Sequence, residues 1–568
     1  MGKDSARKVS RRAFLTGLAA MGAGGALVGL GGCSGGQGNS SSGGSSAADA
    51  GSGASQGDDD IVGKGTWYSK LTEINPNDVS RVDEADIVVV GSGSSGTFAA
   101  IRAAERGAKV IWLEKTSLKG GTSTVTEGFT AFNATPQVET GELTDTLPIF
   151  NMLMDWHYYG AKSEAFNLYF DNSNLATDWA IAHGVRLKYN GRPQKPHYEC
   201  YDDDGKWMNI GTGMLEPLWA YGDTMSNLDF RLETPAINIS CSDGAVDGVY
   251  AQEPDGSIIL IKSKAVIMAT GGFASNVEMG KEWLRVPANR ILFLGFDGQD
   301  GDGINMSLNA GAARHAPTSV NYGLTTIEGS PWNSMLTIFT VWCPSWRVDP
   351  AGTIPAGKSI PFVNQDGKRF YNEALLEDLN TSMLNTAVSS QVKAFAVFDK
   401  NHVDTYSTFN EFDYITGIAK GNFRDELASS SAVHEADTLE ELADLMGVDK
   451  ENFVKTIAEY NACAEGKDVP DVMGTPPAEM TPVVEPPFYA AHITACAYGT
   501  HGGVSTDYHC QAVDENENPI VGLYVAGQDN GSMYFNDYPY GLMGGTCQGG
   551  ALTTGFVAAN SACDALSI

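Results

Sequence analysis

No two cysteines in this chain stand at C-x-x-C spacing. The nine are scattered, at Cys33, Cys200, Cys241, Cys343, Cys463, Cys496, Cys510, Cys547 and Cys563. That excludes a C-x-x-C-H haem attachment and the closely spaced thiol sets of zinc or iron–sulfur sites. Their spacing assigns no disulfide, and scattered buried thiols are expected. Basic residues are scarce too: 37 Lys and Arg against 69 Asp and Glu leave a net charge of −32. A surface this acidic repels nucleic acid and anionic lipid. No internal repeat is present, and the weakly hydrophobic stretch 13–30 is too broken by glycine for a permanent membrane span. The remaining composition, 42% hydrophobic and 19% charged over 568 residues, suits a globular enzyme of two or three domains.

The first residues carry an address. Ser10-Arg11-Arg12-Ala13-Phe14-Leu15 is a twin-arginine pattern, and Leu30-Gly31-Gly32-Cys33 resembles a lipoprotein cleavage box. Residues 1–33 are therefore expected to be an export signal of the twin-arginine route, with Cys33 as the acylated first residue of the mature chain. Residues 34–66 form a Gly/Ser-rich linker, expected to hold an enzyme off the outer face of the cell membrane.

Chemistry begins at residue 85. The apolar run 85–90 reads as a buried parallel strand. Gly91-Ser92-Gly93-Ser94-Ser95-Gly96 follows, then a helical pattern through Arg106, then a second strand at 109–113 ending on Glu114. In such a β-α-β unit the first glycine permits the tight turn and the second lets backbone approach a pyrophosphate. The third lets helix and strand pack closely, and the helix N-terminus faces the phosphates. Glu114, 18 residues after Gly96, is placed to accept hydrogen bonds from ribose hydroxyls. Lys115, Gly120-Gly121-Thr122-Ser123 and Gly128 add a second glycine-rich loop, which points to FAD rather than NAD.

Further along, residues 144–230 are largely helical in pattern, 246–268 strand-rich and 317–430 irregular. Helical runs lie near 438–446 and 450–463. The stretch 521–562 returns to strand, glycine loop and helix.

The chain resembles the flavoprotein family of fumarate reductases, urocanate reductases and 3-ketosteroid dehydrogenases. The matching residues are the β-α-β fingerprint, Glu114-Lys115 with Gly120-Gly121-Thr122-Ser123, Ala269-Thr270-Gly271-Gly272-Phe273 with Asn276, and Gly301-Asp302-Gly303. They continue with Gly367-Lys368-Arg369-Phe370, Asn372-Glu373, Thr500-His501-Gly502-Gly503 and Gly522-Leu523-Tyr524-Val525-Ala526-Gly527. The resemblance spans about 84–568. It implies an α/β fold: a Rossmann-like FAD-binding domain built from 84–316 and 488–568, with an inserted α+β capping domain at 317–487. FAD contacts are implied at Gly91, Gly93, Ser95, Gly96, Glu114, Lys115, Gly121, Thr122, Ser123, Gly128, Ala236, Ala269, Thr270, Gly271, Gly272, Asp302, Gly527, Gln528 and Cys547. Gln528 stands where the family often has Glu.

Departures from the family pattern shape the catalytic expectation. Fumarate-type enzymes place a proton-donating arginine where this chain has Glu377, and a substrate-clamping arginine where it has Leu542; the clamping histidine is Gly499. Losing bidentate arginine argues against a dicarboxylate substrate. Asn536-Asp537-Tyr538-Pro539 instead resembles the ketosteroid dehydrogenase stretch. Glu377 and Tyr538 are therefore the expected proton-handling residues, with Tyr498, His501, Tyr540 and Leu542 lining the substrate pocket beside Tyr534. Trp156-His157-Tyr158-Tyr159 is read as core rather than site, and the sequence places no partner for Arg314 or His315.

The implied activity is hydride transfer between flavin N5 and an activated C=C bond of an enone or aromatic compound. A ketosteroid-like dehydrogenase and a non-catalytic flavin-binding lipoprotein are the alternatives. No haem motif supplies electrons, so an external cytochrome or membrane redox protein is the expected donor, and no metal is required.

Overall fold

The computed structural model describes residues 74–323, 325–330, 359–378, 381–406, 423–467 and 469–568, together with Leu71 and Leu336. The twin-arginine pattern, Cys33 and the linker lie outside the described residues.

The apolar run at 85–90 forms strand β1 (Ile87–Val90), whose four residues are all buried. Helix α1 (Ser94–Glu105) follows across the glycine loop, and β2 (Val110–Leu113) returns beside β1 in parallel, Val88 opposite Ile111. Burial on both faces explains why these strands are unbroken apolar runs rather than alternating. Strand β3 (Gly128–Phe129) then pairs antiparallel with β4 (Tyr198–Tyr201), Gly128 opposite Glu199.

Strand β5 (Ala265–Met268) lies on the other side of β1, and the C-terminal strand Pro519–Val525 adds beside β5 in parallel. The result is a six-stranded sheet in the order 511–513, 519–525, β5, β1, β2, 228–231. Two remote parts of the chain thus share one sheet, with the glycine loops at the carboxyl ends of adjacent parallel strands.

A second, seven-stranded sheet is organised by the 17-residue strand β6 (Phe488–Val504). It pairs with Ile291–Phe293, Arg314–Tyr322, Thr326–Ile327, Ala394–Asp399 and Val433–Ala436. The helical run expected near 438–446 is the helix Leu439–Met446, capped by the Thr438 hydroxyl and closed by Gly447 in left-handed conformation. The run near 450–463 is the helix Lys450–Ala464, capped by Asp449.

Helix α2 (Thr546–Leu566) lies against α1. The approach is close: a Cβ on Gly555 would stand 2.2 Å from the Ser95 carbonyl oxygen. Arg314, unplaced by sequence, lays its guanidinium 3.7 Å from the Trp283 ring centroid, and His315 Nε2 lies 3.1 Å from the Gly160 carbonyl oxygen.

Candidate functional site

The loop between β1 and α1 is held by backbone contact. Gly91 has φ +101°, and a Cβ there would lie 2.2 Å from the Ala269 carbonyl oxygen. A Cβ on Gly96 would lie 1.9 Å from the Gly91 oxygen, so strand and helix meet at a distance only glycine allows. Gly93 differs. Its nearest neighbour would be Ser123 Oγ at 3.5 Å, and a Cβ on Gly121 would meet nothing within 4 Å. Gly93, the N-cap of α1, offers no capping side chain. A helix start whose N-cap has no side chain, beside open space at Gly121, is suited to an anion.

The second loop closes around the first. Ser94 N donates to Ser123 Oγ at 3.1 Å, and Ser95 lies under Gly527, whose Cβ would come within 2.4 Å of Ser95 Oγ. Glu114 receives four bonds: Ser92 N and Oγ on one oxygen at 3.1 and 2.6 Å, and Thr116 N and Oγ1 on the other, both at 2.9 Å. A ribose must therefore displace a rotatable Ser92 or Thr116 hydroxyl to use this carboxylate. Lys115 Nζ bridges Asp300 and Asp302, each at 2.7 Å. Thr122 Oγ1 accepts from Phe296 N at 2.9 Å and Gln299 Nε2 at 3.2 Å. Ala236 begins the strand Ala236–Ser242, two residues past Thr234, whose N–H bonds the Glu114 carbonyl.

The residues that follow β5 meet the C-terminal glycine loop through Asp529. This fully buried acid accepts from Thr270 N at 2.5 Å, Thr270 Oγ1 at 2.8 Å and Gly272 N at 2.8 Å. Burial raises its pKa despite those bonds. Sequence reasoning stopped at Gly527 and Gln528 and missed Asp529; its position two residues beyond Gly527 was the available signal. Ala269 and Gly271 flank the same turn. Gln528 Nε2 donates to Cys547 Sγ at 3.0 Å, and Asn321 Nδ2 donates to the same sulfur at 3.1 Å. Burial pushes the Cys547 thiol up to about 12, so it stays a neutral contact rather than a nucleophile.

The expected substrate side is a cluster of rings. His501 stacks on Tyr534 with centroids 3.9 Å apart, and Tyr538 lies 5.6 Å from His501 and 6.2 Å from Tyr540. Burial holds His501 down at about 3; nearby His157 adds to this while the Gln528 side chain opposes it, so the imidazole is neutral at physiological pH. The Tyr538 hydroxyl sits at the start of α2 and accepts from Gly545 N at 2.6 Å and Cys547 N at 3.4 Å. Burial raises its pKa beyond the ordinary tyrosine range, so it stays protonated. A phenol that accepts two N–H bonds at a helix N-terminus has its own proton free to donate and a stabilised oxygen once that proton leaves. Tyr498, Tyr540 and Leu542 keep part of their surface accessible, as chamber-lining side chains do.

His157, assigned to the core by sequence, is buried there, yet it also shapes the site. Its Nδ1 accepts from Phe535 N at 3.3 Å and Asn536 N at 3.0 Å. Trp156 Nε1 donates to the Asp537 carbonyl at 2.6 Å. Together they fix the turn that delivers Tyr538. Glu377 falls in the 3₁₀ helix Glu373–Asp378, and its side chain lies outside the described residues.

The model of the FAD binding domain family matches residues 86–550. A vinyl phenol reductase of Lactiplantibacillus plantarum is 27% identical over 490 residues, covering 84% of this chain and 96% of that protein. A fumarate reductase (cytochrome) of Shewanella frigidimarina is 26% identical over 463 residues, 80% of this chain and 73% of that one. Among solved structures, 3-ketosteroid Δ1-dehydrogenase from Sterolibacterium denitrificans superposes with a TM-score of 0.62 at 20% identity, covering 85% of this chain and 100% of that chain. That likeness is one of fold. The residues present fit FAD: Gly121 leaves open space, the N-cap of α1 is the side-chain-less Gly93, and the Gly527–Gln528 loop is pinned against Ser95 of the same helix.

Proposed function

We propose, from the premise that this chain belongs to the FAD binding domain family, that it is an FAD-dependent oxidoreductase acting on CH–CH bonds, reducing an activated C=C bond of a neutral, aromatic or enone-like acceptor. The bound flavin supplies or takes the hydride. The protein supplies the proton from Tyr538, held by Gly545 N and Cys547 N, and the observation that carries the reading is this hydroxyl at the α2 N-terminus. Around it stand His501, Tyr498, Tyr534 and Tyr540, none of which is cationic at neutral pH. Nothing in that set offers the bidentate grip that a dicarboxylate needs. The Lactiplantibacillus relative, named for a vinyl phenol, supports an aryl alkene; the Shewanella relative, named as a cytochrome-linked reductase, supports an external redox protein as donor. The twin-arginine pattern and Cys33 support a lipid-anchored enzyme on the outer face of the membrane.

The test is anaerobic. Holoenzyme reduced with a viologen is mixed with 4-vinylphenol, a cyclic enone or fumarate, and flavin reoxidation is followed by absorbance. Reoxidation by the alkene or enone and not by fumarate is expected. Reoxidation by fumarate alone overturns the reading, and bleaching of oxidised enzyme by a saturated ketone with no reoxidation by alkenes shifts it to a dehydrogenase.

A further inference from the structure

Thr130 directly follows β3 and is fully buried. Its backbone N–H donates to the Gly545 carbonyl at 3.0 Å, and its hydroxyl donates to the Gly544 carbonyl at 2.7 Å. Its own carbonyl accepts from the Tyr169 hydroxyl at 2.5 Å, and a Cβ on Gly549, in the first turn of α2, would lie 2.0 Å from that oxygen. The end of β3 and the start of α2 thus meet at backbone distance, with Thr130 at the point of contact.

The peptide unit that Thr130 grips also serves Tyr538. The Gly544 carbonyl and the Gly545 N–H belong to one planar group. Thr130 Oγ1 sits at its carbonyl end, and the Tyr538 oxygen sits at its N–H end, 2.6 Å from Gly545 N. Gly544 has φ −64° and ψ 144°, and Gly545 has φ 93° and ψ −7°. These are the central angles of a type II turn, which differs from type I by a flip of that peptide. With glycine on both sides, the backbone itself offers little resistance to the flip. A flip would put the carbonyl oxygen where the N–H now faces Tyr538. The Thr130 hydroxyl opposes it, and the site is too tight for a side chain to do so: a Cβ on Gly545 would stand 2.8 Å from both Thr130 N and His197 Nδ1. A hydrogen bond on the carbonyl also polarises the peptide and strengthens its N–H as a donor. That gain is largest once Tyr538 has passed its proton to the substrate carbon and its oxygen carries the negative charge, because bonds to an ionised acceptor are the stronger ones.

We propose that Thr130 is a positioning residue for the proton transfer: its hydroxyl locks the Gly544–Gly545 peptide so that the Gly545 N–H stays on the Tyr538 oxygen and stabilises the charge left there when the proton moves. This rests on Tyr538 being the proton donor of the preceding subsection. Thr130 acts through the peptide rather than on the reacting atoms.

The experiment is a double-mutant cycle on holoenzyme. It reads the rate at which viologen-reduced flavin is reoxidised by saturating 4-vinylphenol, or the rate of bleaching by cyclohexanone should the enzyme run as a dehydrogenase. Thr130→Val keeps the shape and the backbone N–H and removes the hydroxyl, and Thr130→Ser restores it. Beside Tyr538, Thr130→Val is expected to slow the step about three- to tenfold, the net worth of one hydrogen bond. The flavin spectrum and the half-saturating substrate concentration should not move, and Thr130→Ser should recover most of the rate. In a Tyr538→Phe background the same change is expected to cost less than about twofold, because the oxygen it serves is gone. Flavin absorbance reports cofactor retention; if the Val variant loses FAD, Thr130→Ala carries the cycle. A slow Tyr538→Phe enzyme in which Thr130→Val costs as much as it does beside Tyr538, no slowing in either background, or a Ser variant as slow as Val overturns the Thr130 assignment alone. A Tyr538→Phe enzyme with wild-type turnover refutes the proposed proton donor, and this assignment falls with it.

Discussion

Replacing Glu373 by alanine breaks a buried charge network that anchors the segment leading to Glu377. Arg369 and Glu373 have side chains 3% and 0% exposed. Arg369 Nε bonds Glu373 Oε1 at 2.9 Å, Nη2 bonds the other carboxylate oxygen, and Nη1 reaches Asp471. Thr475 Oγ1 accepts from Arg369 and donates to Glu373, both at 2.9 Å, and Phe362 N donates to Glu373 at 3.3 Å. Burial works against the guanidinium charge, yet these partners outweigh it and hold the Arg369 pKa above its ordinary value. Removing one partner of a buried pair costs about 3–5 kcal/mol. Asp471 remains to share the charge, which argues for the lower part of that range, and the orphaned Phe362 N–H adds about 1 kcal/mol. The expected loss for Glu373→Ala is therefore about 4 kcal/mol, read as a drop in the urea midpoint of the holoenzyme at constant slope. Glu373→Gln, which keeps the shape and one acceptor, should lose less. A Glu373→Ala variant within 1 kcal/mol of wild type would refute the reasoning, because it would mean the network is open to water.

Three further outcomes follow from named contacts. Gly96→Ala drives a methyl group into the Gly91 carbonyl at 1.9 Å, and the purified variant should be colourless; a normal flavin spectrum would show that helix and strand can separate there. Tyr538→Phe should keep FAD and lose roughly 100-fold or more in alkene-driven reoxidation, the usual span of a general acid, and unchanged turnover removes Tyr538 from the chemistry. The Glu127 carboxyl sits at about 7 against an ordinary 4.5. The folded state thus holds a proton that the unfolded chain has released, and this contribution to stability is fully present below about pH 4.5 and lost as pH rises through 7. Glu127→Gln should match wild type near pH 4 and gain up to about 3 kcal/mol above pH 7; denaturation midpoints at the two pH values check the sign.

The dinucleotide half of this protein was legible in the sequence because its determinants are local. Gly91, Gly93, Gly96 and Glu114 mark one β-α-β unit of about 30 residues, within which Gly96 meets Gly91 and Glu114 meets Ser92 and Thr116, although the close approach at Gly91 is to Ala269 from a remote strand. Thr438 and Asp449 announce their helices for the same reason. Tyr538, His501, Tyr498 and Tyr540 were named from sequence, Tyr538 with an expected proton-handling role, but the bonds and packing that set their state were not visible there. That His157 fixes the turn before Tyr538, and that Asp529 ties the loop after β5 to the C-terminal loop, depend on segments far apart in the chain. So does the state of Glu127, which precedes the motif residue Gly128 yet feels Glu199 of β4. Hydrogen-bond partners and desolvation belong to the assembled interior, and a linear order of residues does not contain them.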